Sequence, residues 1–198
     1  MSSFSDYWMH RKRFISQYAA ATFMTYLFNV GKRTPHRLIV SRQTGNIWMT
    51  ELLPDWSREN PMFANDESVP FRFTPNIQTY ITPIGVEGLF SSCLLAISRS
   101  LTETELGLGQ YLHLFIRDEL LAWYASSHKT AMQSELLEHI QTNVDEVMSR
   151  AQLLCCQPNH EKDVDCNKPI NQNIIELISQ ASNPQNLAQM ECTWMPWL

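Results

Sequence analysis

Few groupings of side chains in this chain have the types and spacing that chemistry demands. Cys155, Cys156, His160 and Cys166 lie near one another and are residue types that hold zinc. A closed zinc site calls for paired spacing of the C-x-x-C kind, which is absent here, and the five cysteines are odd in number. Neither a metal site nor a disulfide framework is expected, and the thiols read as reduced. Gly107 and Gly109 form the one close glycine pair, but they sit in an apolar stretch without the strand and helix start that frame a phosphate loop. Asp118 and Glu119 supply two carboxylates, yet adjacent helix positions do not face each other, so joint acid–base work is not expected. No Ser-His-Asp or Cys-His set can be assembled from spacing, and His113 reads as a packed residue on an apolar helix. His10-Arg11-Lys12-Arg13 is the one basic cluster, and at a net charge of -5 it reads as a solvated helix face. Direct nucleic-acid binding is not expected from so thin a patch.

The elements that must carry any site are mostly helical. The chain has 198 residues, 44% of them hydrophobic and 18% charged, which suits one folded domain with a small appendage. Phe4, Tyr7, Trp8, Phe14, Tyr18, Phe23 and Leu27 recur at a helical period and predict a long opening helix over 4–29, ended by Gly31 in the C′ position. Leu38-Ile39-Val40 and the run from Ile47 to Leu53, joined by Gln43-Thr44-Gly45-Asn46, predict a small β-hairpin. Residues 54–70 read as a surface loop. Thr74-Pro75 starts a short helix to Ile81, and three longer helices are predicted over 85–100, 108–127 and 133–154. Residues 157–168 are polar and aperiodic, a flexible linker. Pro169 and Asn183-Pro184 then open two short helices. The chain stops on Thr193-Trp194-Met195-Pro196-Trp197-Leu198, and since termini are normally frayed and polar, these rings are expected to fill a pocket. No apolar run reaches membrane-spanning length and the start lacks the layout of a secretory signal, so an intracellular protein with no membrane span is expected.

Several phrases together carry a resemblance. Gly31-Lys32-Arg33-Thr34-Pro35-His36-Arg37-Leu38, the strand-turn-strand after it, and Val69-Pro70-Phe71-Arg72-Phe73-Thr74-Pro75-Asn76 resemble the C-lobe of the phosphatidylinositol 3-kinase-related kinases. The last thirty or so residues, closing on Trp-Met-Pro-Trp-Leu, look like the FATC domain that ends those chains. Arg33-Thr-Pro-His36, Pro70 to Gln78, Phe115-Ile-Arg-Asp-Glu-Leu120 and Gln141-Thr-Asn-Val-Asp145 are similar to the fungal type of the TRRAP/Tra family. The resemblance implies a mainly α fold with a small β-hairpin: a PI3/PI4-kinase-type C-lobe followed by a FATC helical tail. It divides the chain into a C-lobe-like region at 1–130, a connecting helix at 131–156, the linker at 157–168 and FATC at 169–198. On that likeness the chain reads as the C-lobe and FATC end of a much larger scaffold.

Active members of the family carry Gly-Asp-Arg-His-Pro-x-Asn, whose Asp positions the attacking hydroxyl and whose Asn binds magnesium, followed by Asp-Phe-Gly, whose Asp holds the metal. Laid on that pattern, Lys32 replaces the Asp, Thr34 the His and Arg37 the Asn, and only Arg33 and Pro35 match. In an ungapped register Glu51-Leu52-Leu53 takes the place of Asp-Phe-Gly. Two cations thus stand where an anion and an oxygen ligand are wanted; unit charges 4 Å apart interact by roughly 4 kcal/mol at an effective dielectric near 20, and a divalent ion doubles that. Nothing before Gly31 supplies a glycine-rich loop or a phosphate-binding strand lysine. The resemblance therefore implies a pseudokinase without catalytic residues, cofactor or small-molecule substrate. Its implied work is that of a nuclear scaffold in SAGA-type coactivator and histone acetyltransferase complexes, with complex subunits and transcription activators as partners. The alternative is an active or vestigial protein or lipid kinase of the same family, with Glu51 holding the metal. For the tail, the resemblance implies docking on the lobe through Trp194, Pro196, Trp197 and Leu198.

Overall fold

A helix whose apolar residues return every third or fourth position turns one side to a core, and the opening helix does so from Phe14 onward, while Phe4, Tyr7 and Met9 in its first turns stay exposed. The computed structural model describes residues 3–31, 33–50, 67–84, 86–115, 117, 133–154 and 172–198. Helix α1, Phe4–Leu27, starts at Ser3, whose hydroxyl accepts from the Asp6 amide at 3.1 Å. It buries Phe14, Ile15, Tyr18, Ala19, Phe23 and Leu27. Its end differs from the sequence expectation. Asn29, not Gly31, takes the left-handed conformation (φ 46), with the Val30 amide donating to the Thr25 carbonyl at 2.9 Å and the Asn29 amide to Tyr26 at 3.2 Å. This paired bonding is a Schellman cap, which asparagine can adopt when glycine is absent from C′.

Strands β1 (Leu38–Val40) and β2 (Ile47–Met49) pair antiparallel, with Ile39 opposite Trp48. The Gln17 side chain holds this hairpin to α1, accepting from the Ile47 amide at 2.7 Å and reaching Asn46 at 3.4 Å. At the turn, Gly45 has φ +77, and a Cβ there would stand 2.8 Å from the His10 carbonyl oxygen, so only glycine fits.

Helix α2, Pro75–Ile81, follows Thr74 as the Pro-at-N1 signal predicts. A wide helical turn, Val86–Phe90, broken at Gly88, leads into α3, Ser91–Thr102; the predicted 85–100 helix thus begins later, where regular bonding resumes. Helix α4 is Leu108–Phe115, α5 is Gln133–Leu153, α6 is Gln172–Ser182 and α7 is Pro184–Ala188. The predicted continuation of α4 to 127, the start of α6 at Pro169, the linker, Asp118-Glu119 and the cysteines at 155, 156 and 166 lie outside the described residues. Among the described residues no helix is long and apolar enough to cross a membrane.

One cluster joins α1, α3, α5 and α6 through Phe23, Phe90, Leu94, Val147, Ala151 and Ile174. The α5 helix thus contributes Val144, Val147 and Ala151 to the same core. Arg150 on α5 donates to the Leu27 carbonyl at 3.2 Å and pairs with Glu146 at 3.2 Å, which places a cation at the C-terminal end of α1. The basic cluster on α1 is only partly solvated. His10 bonds the Tyr80 hydroxyl at 3.0 Å through Nδ1, and Arg11 lies 4.7 Å from the Tyr7 and Tyr80 ring centres, while Lys12 and Arg13 are exposed.

Candidate functional site

The segment from Val69 to Thr74 is irregular, bent through Phe71, and its residues divide between two cores. Phe71 and Phe73 enter the main cluster beside Phe90, with Phe73 and Phe90 stacked at 5.3 Å. Val69 instead joins a smaller cluster with Leu187, Trp194 and Met190. Between the two phenylalanines stands Arg72, only 7% exposed. A guanidinium carries its charge into such a place only if its donors are met.

They are met almost entirely by the C-terminal tail. Nη1 of Arg72 donates to the carbonyl of Trp194 and, at 3.4 Å, to that of Arg33. Nη2 donates to the Met195 carbonyl at 3.1 Å and to an oxygen of Leu198 at 3.4 Å. The guanidinium carbon also lies 4.7 Å from the centre of the Trp194 ring. Every acceptor is a backbone oxygen, so Arg72 reads the fold of the tail through its hydrogen bonds and one side chain, Trp194, through the ring face. The Arg72 carbonyl in turn accepts from the buried Tyr18 hydroxyl. Burial pulls the Arg72 guanidinium below its ordinary pKa, with the Tyr18 charge acting the other way; burial pushes the Tyr18 hydroxyl well above its ordinary value, opposed by Arg72.

The tail is shaped to meet this arginine. Asn183 caps α7 by accepting from the Gln185 amide at 2.8 Å, and Gln189 meets the Ser68 hydroxyl at 2.8 Å. A single 3₁₀ turn, Cys192–Trp194, ends at Met195 in the left-handed region (φ 49). Trp194 is 3% exposed, and among the described residues its indole N–H has no hydrogen-bond partner. The expectation that the terminal rings all insert needs correction. Trp197 is 57% and Leu198 43% exposed, with Pro196 half-buried. Arg72 holds this end by backbone oxygens, so nothing requires the last side chains to be buried.

Of the loop residues singled out from the sequence, Lys32 and Glu51 lie outside the described residues. Thr34 and Arg37 are half-buried at either end of the 3₁₀ turn Pro35–Arg37, and the Thr50 amide donates to the Arg37 carbonyl at 3.0 Å. Arg33 is 5% exposed; its Nε donates to the Gly31 carbonyl at 3.0 Å and its Nη1 to that of Thr50 at 3.1 Å. A cleft between α1, this loop and β2 is lined by Tyr18, Thr22, Arg33, Thr34, Arg37 and Arg72 among others, and has room for about one water molecule. Among the described residues no group of histidine, cysteine and carboxylate side chains could hold a metal. Thr34 and Arg37 thus share one cleft with Arg72, while Trp194 meets Arg72 from the tail. In the sequence Arg72 stands within the Val69–Asn76 phrase with no role of its own, and the one signal there is a lone cation among alternating Val69, Phe71 and Phe73.

Residues 1–125 match the family model for phosphatidylinositol 3- and 4-kinases, and residues 167–198 match the FATC domain. Over 100% of its length the chain is 38% identical to the SAGA complex/NuA4 acetyltransferase complex subunit Tra1 of Schizosaccharomyces pombe. Over 99% of its length it is 36% identical to the TRA1 subunit of the same name in Saccharomyces cerevisiae. The human transformation/transcription domain-associated protein is 27% identical over 98% of the chain. The chain spans only 5%, 6% and 5% of the lengths of these three relatives. The fold is also that of solved CtTel1: its open conformation superposes with a TM-score of 0.64 over 98% of this chain and 7% of that one, at 19% identity.

Proposed function

This chain belongs to the phosphatidylinositol 3- and 4-kinase family and carries a FATC domain; from that premise we propose that it serves as a non-catalytic scaffold element of a SAGA- or NuA4-type acetyltransferase coactivator complex. The observation that carries the reading is similarity across 100% and 99% of this chain, at 38% and 36% identity, to a small part of relatives named as subunits of those complexes. The loop chemistry agrees with it. Lys32, Thr34 and Arg37 stand where the family's catalytic and magnesium-binding side chains belong, and Glu51 where its metal-holding Asp belongs. In this reading no cofactor or small-molecule substrate is used. The partners are complex subunits and transcription activators, the setting is the nucleus, and Trp194 docks the FATC end on the lobe.

Two measurements test it. The protein carrying an N-terminal tag, recovered from nuclear extract and analysed by mass spectrometry, should bring down acetyltransferase-complex subunits; recovery of none rejects the scaffold assignment. Equilibrium binding of ATP with magnesium should show no saturable site in the micromolar range. Micromolar, magnesium-dependent binding abolished by Glu51→Ala would overturn the non-catalytic assignment.

A further inference from the structure

We infer that Arg72 and Arg33 form a relay through which docking of the C-terminal tail sets the conformation of the 33–37 turn and the end of β2. Each arginine bridges two segments. Arg72 holds the tail by the oxygens of Trp194, Met195 and Leu198, and holds the turn by the Arg33 carbonyl. Arg33 spans from the Gly31 carbonyl to that of Thr50, which directly follows β2. The chain of donors therefore runs from the tail, through two buried guanidiniums, to the hairpin.

The tail is built to move as a unit. Trp194 and Leu187 pack with Val69 and Met190 in a cluster separate from the main core. Parting them disrupts that small cluster, the bonds of the Arg72 side chain and the Ser68–Gln189 bond, and leaves the packing of α1, α3 and α5 intact. Sub-global openings of this kind are expected where few buried contacts cross a boundary. Once the tail leaves, Arg72 loses three of its four oxygen acceptors and the ring beneath it. A buried guanidinium cannot stay unmet, so Arg72 must turn toward water or other acceptors and release the Arg33 carbonyl. Tail docking is thus a two-state element whose second state loosens the turn, which is the physical requirement for coupling.

Amide hydrogen exchange on the full chain, read by mass spectrometry, tests the relay with Arg72→Met and Trp194→Ala. In both variants peptides from 184–198 and those covering 33–37 and 46–50 should exchange about tenfold faster or more, as expected for loss of hydrogen bonds to a charged group. Peptides from α3 and α5 should keep their protection. The informative variant is Trp194→Ala, because it alters only the tail, so faster exchange in the turn can arise only by transmission. Acceleration confined to the tail refutes the coupling. Uniform acceleration that includes α3 and α5 refutes the tail as a separate unit, and with it the relay.

Discussion

Trp194 offers a test in which two substitutions should differ for one stated reason. Its ring buries on the order of 200 Å², worth up to about 5 kcal/mol at 25 cal/mol per Å². Removal of a buried tryptophan to alanine costs about 3–5 kcal/mol in general. The Arg72 guanidinium 4.7 Å from the ring centre adds about 1 kcal/mol through its attraction to the ring face. Against this stands the buried indole N–H without a partner, whose desolvation costs about 1–3 kcal/mol in the wild type and vanishes with the ring. Trp194→Ala should therefore destabilise the docked tail by about 3 kcal/mol, an increase of roughly 150-fold in its opening constant. Trp194→Phe keeps an aromatic face toward Arg72 and removes the orphaned donor. It should stay within about 1 kcal/mol of the wild type, because the area lost and the desolvation relieved nearly offset. Exchange protection of tail amides between Leu187 and Met195 reads both variants, with urea unfolding followed by circular dichroism as a control on the body. If Trp194→Phe proves as damaging as Trp194→Ala, the energy resides in the indole N–H rather than in ring burial, and the reasoning fails.

Gly45→Ala should cost about 2 kcal/mol, because it combines a left-handed backbone with a 2.8 Å approach to the His10 carbonyl; Gly107→Ala, also left-handed but 3.6 Å from its nearest neighbour, should cost less. Thermal unfolding compares them, and a larger loss at Gly107 would refute the close approach of the hairpin turn to α1. Tyr18 predicts alkaline sensitivity: burial raises its folded pKa above the unfolded value near 10, so its contribution is complete below pH 10 and falls by about 1.4 kcal/mol per pH unit above it. Tyr18→Phe should lower stability at pH 8 by about 1 kcal/mol through the lost bond to the Arg72 carbonyl, yet flatten the decline above pH 10; an unchanged slope in the variant counts against a buried, neutral Tyr18.

What could be read in advance was whatever depends on neighbours along the chain. The periodic set Phe14, Tyr18, Phe23 and Leu27 marks the buried side of α1, and Thr74-Pro75 and Asn183-Pro184 mark helix starts that the fold uses. The end of α1 shows the limit of that local reading. Composition favours Gly31 as the left-handed residue, but Leu27 and Val30 are both buried, so the chain has to turn between them and Asn29 takes the strain. Trp194 and Trp197 are the same residue type three positions apart, and only position relative to Arg72 and the Val69–Leu187 cluster separates the buried one from the exposed one. Arg72 itself meets Trp194 across 122 positions, a pairing that no periodicity or turn preference records.

Under the proposed non-catalytic reading, the 31–37 loop keeps its architecture for reasons separate from chemistry. Side chains that act on a substrate, such as those the family carries where Lys32, Thr34 and Arg37 stand, contribute little to their own loop's shape and can change with small structural cost. Arg33 has the opposite character. Its donors go to the Gly31 and Thr50 carbonyls, and its own carbonyl accepts from Arg72. Removing it would take these donors from the half-buried Gly31 and Thr50 carbonyls whether or not any phosphate is ever transferred. On the proposed overlay, a match at Arg33 beside mismatches at Lys32, Thr34 and Arg37 is what an architectural demand on the loop would leave. The tail imposes that demand through Arg72, because a tail docked by backbone oxygens needs the turn beneath it to hold one fixed shape.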